Sequence, residues 1–151
     1  MTVEFDFKKS PAYRVATIAW TGPWNEKKIQ SQFGKVQKWA KAHGYRTGRW
    51  IFREPGERRW EVGIEVRGAA VHSHPPIRLR TLPATRVASA VFDPDVVAPY
   101  VIYHGLSDWL RWRKKDGKIR SVRSTREIYP GDPWTDQKAW ARTEIQFLVR
   151  P

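Results

Sequence analysis

The sequence predicts an α+β fold. It expects two βαββ repeats related by a pseudo-two-fold axis, a shared antiparallel sheet with two helices packed on it, and a groove between the halves. Three observations lead there. Pro11-Ala12-Tyr13-Arg14-Val15-Ala16 returns as Pro83-Ala84-Thr85-Arg86-Val87-Ala88, with five identities in six positions. An alternating apolar pair precedes each copy, Phe5/Phe7 and Ile77/Leu79, and alternation is the mark of a half-buried strand. After each copy the apolar period lengthens to that of a helix and then shortens again.

The elements follow in order. Phe5/Phe7 opens a strand that Pro11 interrupts or bulges, and Val15-Thr21 resumes it. Ile29, Phe33, Val36 and Ala40 form one apolar stripe at helical spacing, with Lys27, Lys28, Lys35, Lys38 and Lys41 largely off it and Gly44 as the stop. Strands near Arg49-Arg53 and Trp60-Arg67 close the first repeat. In the second, Val87-Phe92 is a strand, Asp95 is expected to cap a helix with Pro99 in its first turn, and that helix runs to about Lys115. Ile29, Phe33, Val36 and Trp39 match Ile102, Leu106, Trp109 and Trp112, Gly44 matches Gly117, and of Trp109 and Trp112 one is expected in the core with the other flanking the groove. Strands near Val122-Tyr129 and Ala141-Arg150 follow, with a longer loop around Pro133 to Gln137 between them. The whole chain, 1–151, reads as one domain: repeat one over about 3–67, a breaker-rich linker over 68–76, and repeat two over about 77–150. One βαββ unit cannot cover its own apolar sheet face, whereas two can share a core.

Composition bounds the function. The chain has 151 residues, 40% hydrophobic and 28% charged, which suits a globular domain. No apolar run approaches the roughly 20 residues of a membrane helix, and the first residues lack the order of a signal peptide. With no cysteine there is no disulfide or thiolate site, and a cytoplasmic location is expected. The net charge of +13 is spread along the chain and densest at Arg111, Arg113, Lys114, Lys115, Lys118, Arg120, Arg123 and Arg126. Such a surface either keeps the protein soluble or attracts a polyanion. Nine Trp residues supply core, pocket wall, or both.

Several motifs then bring a family into view. Pro11-Ala12 with Val15-Ala16, Gly22-Pro23-Trp24, Trp39-Ala40 and Trp60-Glu61-Val62-Gly63-Ile64-Glu65-Val66 mark the first repeat. Leu82-Pro83-Ala84 with Val87-Ala88, Trp109-Leu110, Glu127-Ile128-Tyr129 with Asp132-Pro133, and Thr143-Glu144-Ile145 mark the second. In order and spacing these residues resemble the GyrI-like effector-binding domains along nearly the whole chain. That family includes the ligand-sensing halves of multidrug-responsive regulators, and free-standing forms related to gyrase inhibitors. Two departures stand out: Asp93-Pro94 replaces a second Gly-Pro-aromatic, and Phe147-Leu148-Val149 lacks the usual central proline.

The resemblance implies that Glu127 is the acidic residue facing the family's pocket. Tyr129 shares its strand face at a spacing of two, while Arg120, Arg123 and Arg126 stand close enough in sequence to neutralise it instead. Glu144 matches a final-strand glutamate but lies opposite Ile145, Phe147 and Val149, so exposure is expected for it. Trp60, Trp20, Trp50 and Tyr129 are the expected pocket walls, with Trp109 beside them; Tyr100 and Tyr103 near the second helix's start are further candidates.

Three functions fit these residues. The first is capture of a small, flat, partly apolar organic ligand, in the manner of multidrug binding. The second, implied by family members that are hydrolases, is hydrolysis of small electrophilic compounds by Glu127 and Tyr129. The third is docking of an acidic protein or nucleic acid on the basic surface. No cofactor and no metal are expected; His72-Ser73-His74 sits in the linker without a completing ligand set. A monomer or homodimer with no membrane partner completes the expectation.

Overall fold

The computed structural model describes residues 3–68 and 75–151, so most of the expected linker, His72-Ser73-His74 included, lies outside the described residues. The architecture is α+β. The strands are β1 (Asp6–Ser10), β2 (Tyr13–Thr21), β3 (Arg46–Gly56), β4 (Arg59–Arg67), β5 (Arg78–Leu82), β6 (Thr85–Phe92), β7 (Ser121–Tyr129) and β8 (Thr143–Arg150). The helices are α1 (Glu26–Ala42), α2 (Pro99–Lys115) and a four-residue α3 (Gln137–Trp140). No helix among the described residues is long and apolar enough to cross a membrane.

Two compact units emerge, and they do not follow the repeat boundaries. One comprises 12–83; the other joins 1–11 to 84–151. In the first, β5, β2, β4 and β3 lie side by side with antiparallel pairing and α1 packs on them. In the second, β1, β6, β8 and β7 repeat that order with α2. The short leading strand of each sequence copy therefore pairs within the other unit. Pro11-Ala12 and Pro83-Ala84 interrupt the strand, the first of the two outcomes expected from sequence, and they are the two places where the chain passes between units. Proline suits such a crossing because it has no N–H to give a ladder and holds the preceding residue extended. The arginine of each Pro-Ala-x-Arg copy ends over an aromatic ring: Arg14 lies 5.7 Å from the Tyr45 centroid and Arg86 4.7 Å from that of Phe7.

Helix α1 buries Ile29, Phe33, Val36 and Ala40, the stripe read from the sequence. Asn25 caps it, its side chain accepting from the Lys28 N–H, and Gly44 ends it at φ +75, a left-handed conformation that costs glycine nothing. Helix α2 departs from expectation twice. Its N-cap is Ala98, without a side-chain cap, because the Asp95 carboxylate instead accepts from the Trp140 indole N–H at 2.9 Å and from Gln137 at 3.2 Å. The loop expected around Pro133 to Gln137 runs into α3, which uses Asp95 as its tether; Ala141 belongs to the end of α3, and β8 starts two residues later.

The buried stripe of α2 is Ile102, Leu106 and Leu110; of the two tryptophans, one of which was expected in the core, Trp109 packs half-buried against it and Trp112 does not. At 3.6 residues per turn Trp112 stands about 200° round from Leu110, so it faces water and is 61% exposed. Trp109 lies on one flank with Gly105, and there the two meet the start of the chain. Phe5 and Phe7 stand 6.2 and 4.8 Å from the Trp109 ring. A Cβ on Gly105 would come 2.7 Å from the Phe5 ring, so the glycine makes room for it.

Candidate functional site

Register places the candidate residues on two faces of the second unit. Ile145, Phe147 and Val149 of β8 pack with Leu106 and Leu110 of α2 in one cluster. In β7, Glu127 pairs with Ile145 and Thr125 with Phe147, so Glu127 and, two residues on, Tyr129 stand on the helix side of the sheet. Helix α2 supplies the third member. Tyr103 lies on the flank opposite Gly105 and Trp109 and rests on Phe147 at 5.9 Å. Its hydroxyl donates to Glu127 Oε1 at 2.7 Å, and the Tyr129 hydroxyl donates to Glu127 Oε2 at 2.6 Å.

Both carboxylate oxygens of Glu127 therefore accept a phenolic hydrogen bond, and each keeps a lone pair for another donor. Glu127 is half-buried. Among the described residues no Lys, Arg or His forms an ion pair with it. Of the neighbouring arginines that sequence placed around it, Arg126 points elsewhere. Arg126 is 3% exposed and turns to the opposite face, donating from Nε to Gln146 Oε1 at 2.7 Å and from Nη2 to Ser10 at 3.1 Å. Pleating explains this: adjacent residues of one strand cannot share a face.

That opposite face holds Glu144, and it is not the exposed position expected. The Glu144 side chain is 15% exposed, accepts from Gln146 Nε2 at 2.7 Å and meets Lys8 Nζ at 2.8 Å. Gln146, Ser10 and Ser89 beside it are buried. Strand β1 covers β6 at the sheet edge and brings Lys8 with it, so a face read as solvent from alternation carries a polar layer.

The first unit repeats the polar layer with different partners. Glu61 meets Arg53 at 3.0 Å and Arg80 at 3.1 Å, while Glu65 meets Arg49 at 3.2 Å and accepts from the Arg49 backbone N–H. Burial pushes the Arg53 guanidinium below its ordinary value, the Glu61 carboxylate pulls it back, and Arg80 adds to the depression. On the helix side, Phe52 pairs with Val62 in the register at which Glu127 pairs with Ile145. No polar group occupies that point.

The expected wall residues divide accordingly. Trp50 is buried and stacks on Phe33 at 4.8 Å. Trp60 is buried, stacks on Phe52 at 6.0 Å, meets Trp24 edge-on at 5.6 Å and donates its indole N–H to Gly22 O. Trp20 is half-buried opposite Trp60 in the β2–β4 pair. Trp109 is half-buried against Phe5 and Phe7. Of the expected site residues, Glu127 and Tyr129 come together, and Tyr103 joins them. Tyr100 does not, being 67% exposed. The signal for Tyr103 was its helix position: one residue past buried Ile102, it had to flank the apolar stripe. Among the described residues no group of three His, Cys, Asp or Glu could hold a metal.

Comparison with known proteins matches this fold. The family model of the GyrI-like small molecule binding domain matches residues 3–150. The chain is similar to the crystal structure of the EcmrR C-terminal domain, at 19% identity and a TM-score of 0.71, with 99% of each chain covered. In the EcmrR–DNA complex the match is 20% identical with a TM-score of 0.70, covering 98% of this chain and 57% of that one. This chain thus spans little more than half the length of EcmrR. It is also similar to SAV2435 bound to tetraphenylphosphonium, at 13% identity and a TM-score of 0.51 over 97% of this chain and 94% of the other. A hydrolase from Listeria innocua matches at 11% identity and a TM-score of 0.61, over 97% and 91%. No curated protein matches the chain.

Proposed function

Because the chain belongs to the GyrI-like small molecule binding domain family, we propose that it captures a small, flat, partly apolar organic cation with Glu127 as the charged anchor. One observation carries the reading. In a chain with 28 Lys and Arg against 15 Asp and Glu, Glu61, Glu65 and Glu144 each meet a cation, whereas Glu127 is held by two phenols. Tyr103 and Tyr129 orient the carboxylate without cancelling its charge, and their rings with Phe147 offer faces to a delocalised cation. The tetraphenylphosphonium bound by SAV2435 is tetrahedral rather than flat, but it shares the positive charge and the aromatic surface of such a ligand.

The test is quenching of tryptophan fluorescence by tetraphenylphosphonium. Glu127→Gln should weaken it about ten-fold, the equivalent of one charge contact, and leave a neutral aromatic of similar size unaffected. Equal affinity in the variant and the parent would overturn the reading.

A second reading is favoured by the 2.6 Å contact between the Tyr129 hydroxyl and Glu127. In hydrolysis of a strained electrophile, Glu127 would take the proton of the attacking water and Tyr129 would protonate the oxygen released by ring opening. Incubation with styrene oxide checks it: Glu127-dependent formation of the diol supports hydrolysis, and recovery of intact epoxide excludes it for this substrate class.

A further inference from the structure

The flank of α2 that carries Tyr103 continues toward the helix C-terminus through Ser107, Arg111 and Lys114. Below it opens a cavity of about 410 Å³, at the small end of the range that holds an organic ligand. Its floor is apolar: Leu110, Ile119 and Phe147 are buried, and Val122 of β7 stands at the side. The remaining lining is polar and of one sign, with Arg111 and Lys114 from the helix and hydroxyls from Ser107 and Ser121.

These two cations are available. Lys114 forms no ion pair among the described residues. Among the described residues Arg111 forms an ion pair only with Asp108, at 3.4 Å, with both side chains about 70% exposed, and such a pair contributes little. Basic residues in the last turn of a helix complement its carbonyl end, but that role does not require an apolar cavity beside them. An apolar floor with cations and hydroxyls at its rim matches an amphipathic anion, whose chain leaves water while its head stays at the surface.

We propose that this cavity binds a small amphipathic carboxylate, with its hydrocarbon part on Leu110, Ile119 and Phe147 and its carboxylate between Arg111 and Lys114. The site differs from that of Glu127 in charge and in every lining residue but Phe147, whose ring both use, and it stands whether or not Glu127 binds a cation. It also assigns a task to part of the +13 charge that cation capture leaves unexplained.

The test compares decanoate with decanol, which share a chain and differ in head charge, by calorimetry on the full chain. Decanoate should bind roughly ten-fold more tightly, the value of one partly exposed charge-assisted contact. The Arg111→Ala/Lys114→Ala variant, altered only on the exposed helix surface, should bring the two within about two-fold, and added salt should narrow the gap in the parent. Val122→Glu, at a rim position 42% exposed, should remove decanoate binding by like-charge repulsion. Glu127→Gln should leave decanoate affinity unchanged. Equal binding of acid and alcohol by the parent, a preference surviving the double variant, or loss of decanoate with Glu127→Gln would each overturn the proposal.

Discussion

The two units share a strand order with one long helix packed on each, and one register position between them carries a sharp chemical contrast. Where the unit of β3 and β4 has Phe52 facing Val62, the unit of β7 and β8 has Glu127 facing Ile145. Around Phe52 the chain places Trp24 and Trp60, and the three rings pack on one another. Around Glu127 it places two phenols. The lesson is chemical. An apolar side chain at this position is satisfied by more apolar surface, but a half-buried carboxylate demands donors, and tyrosine supplies them without adding charge. One unit has spent the position on packing and the other on a polar group that packing alone does not need.

Substitution can break that contrast from either side. The largest effect is expected from Trp60→Ala, which removes a buried ring from the three-ring cluster and its N–H bond to Gly22 O. Truncating a buried aromatic costs about 3–5 kcal/mol, and thermal or denaturant unfolding would read it. A loss under 1 kcal/mol would mean that the cluster is not core. A smaller effect is expected from Tyr129→Phe, which deletes one donor to Glu127 and keeps the ring. Stability should fall by about 1 kcal/mol, while tetraphenylphosphonium affinity falls, though by less than with Glu127→Gln. If Tyr129→Phe matched Trp60→Ala in stability and left binding unchanged, the polar site would be structural, like its counterpart.

Much of this was legible residue by residue. The stripe Ile29, Phe33, Val36, Ala40 and the Gly44 stop follow from helix period and left-handed backbone, both local properties. Asn25 was an available cap signal just before Glu26 that the pattern of apolar residues did not pick out. Asp95 misled because a short-range rule, capping, lost to a long-range one: the Trp140 indole, distant in sequence, competes for the same carboxylate. Trp112 misled because a match between repeats does not carry the neighbours across: its counterpart Trp39 stacks on His43 and Tyr45, whereas Trp112 is 61% exposed. Glu144 misled because alternation identifies the side facing the helix but not whether β1 and Lys8 shelter the other side.

The opening α+β reading thus rests on what a sequence by itself determines: period, punctuation, and the Pro-Ala-x-Arg-Val-Ala recurrence. Sequence also determined that Glu127 and Tyr129 share a strand face, since the pleat alone requires it. Only the tertiary structure decided that Tyr103 closes on the other carboxylate oxygen, that Arg126 turns to Gln146 and Ser10, and that β1 pairs with β6. Local backbone geometry sets the direction in which a side chain leaves its element. Which element lies opposite depends on how distant segments bury their apolar surface together, and no window of sequence contains that.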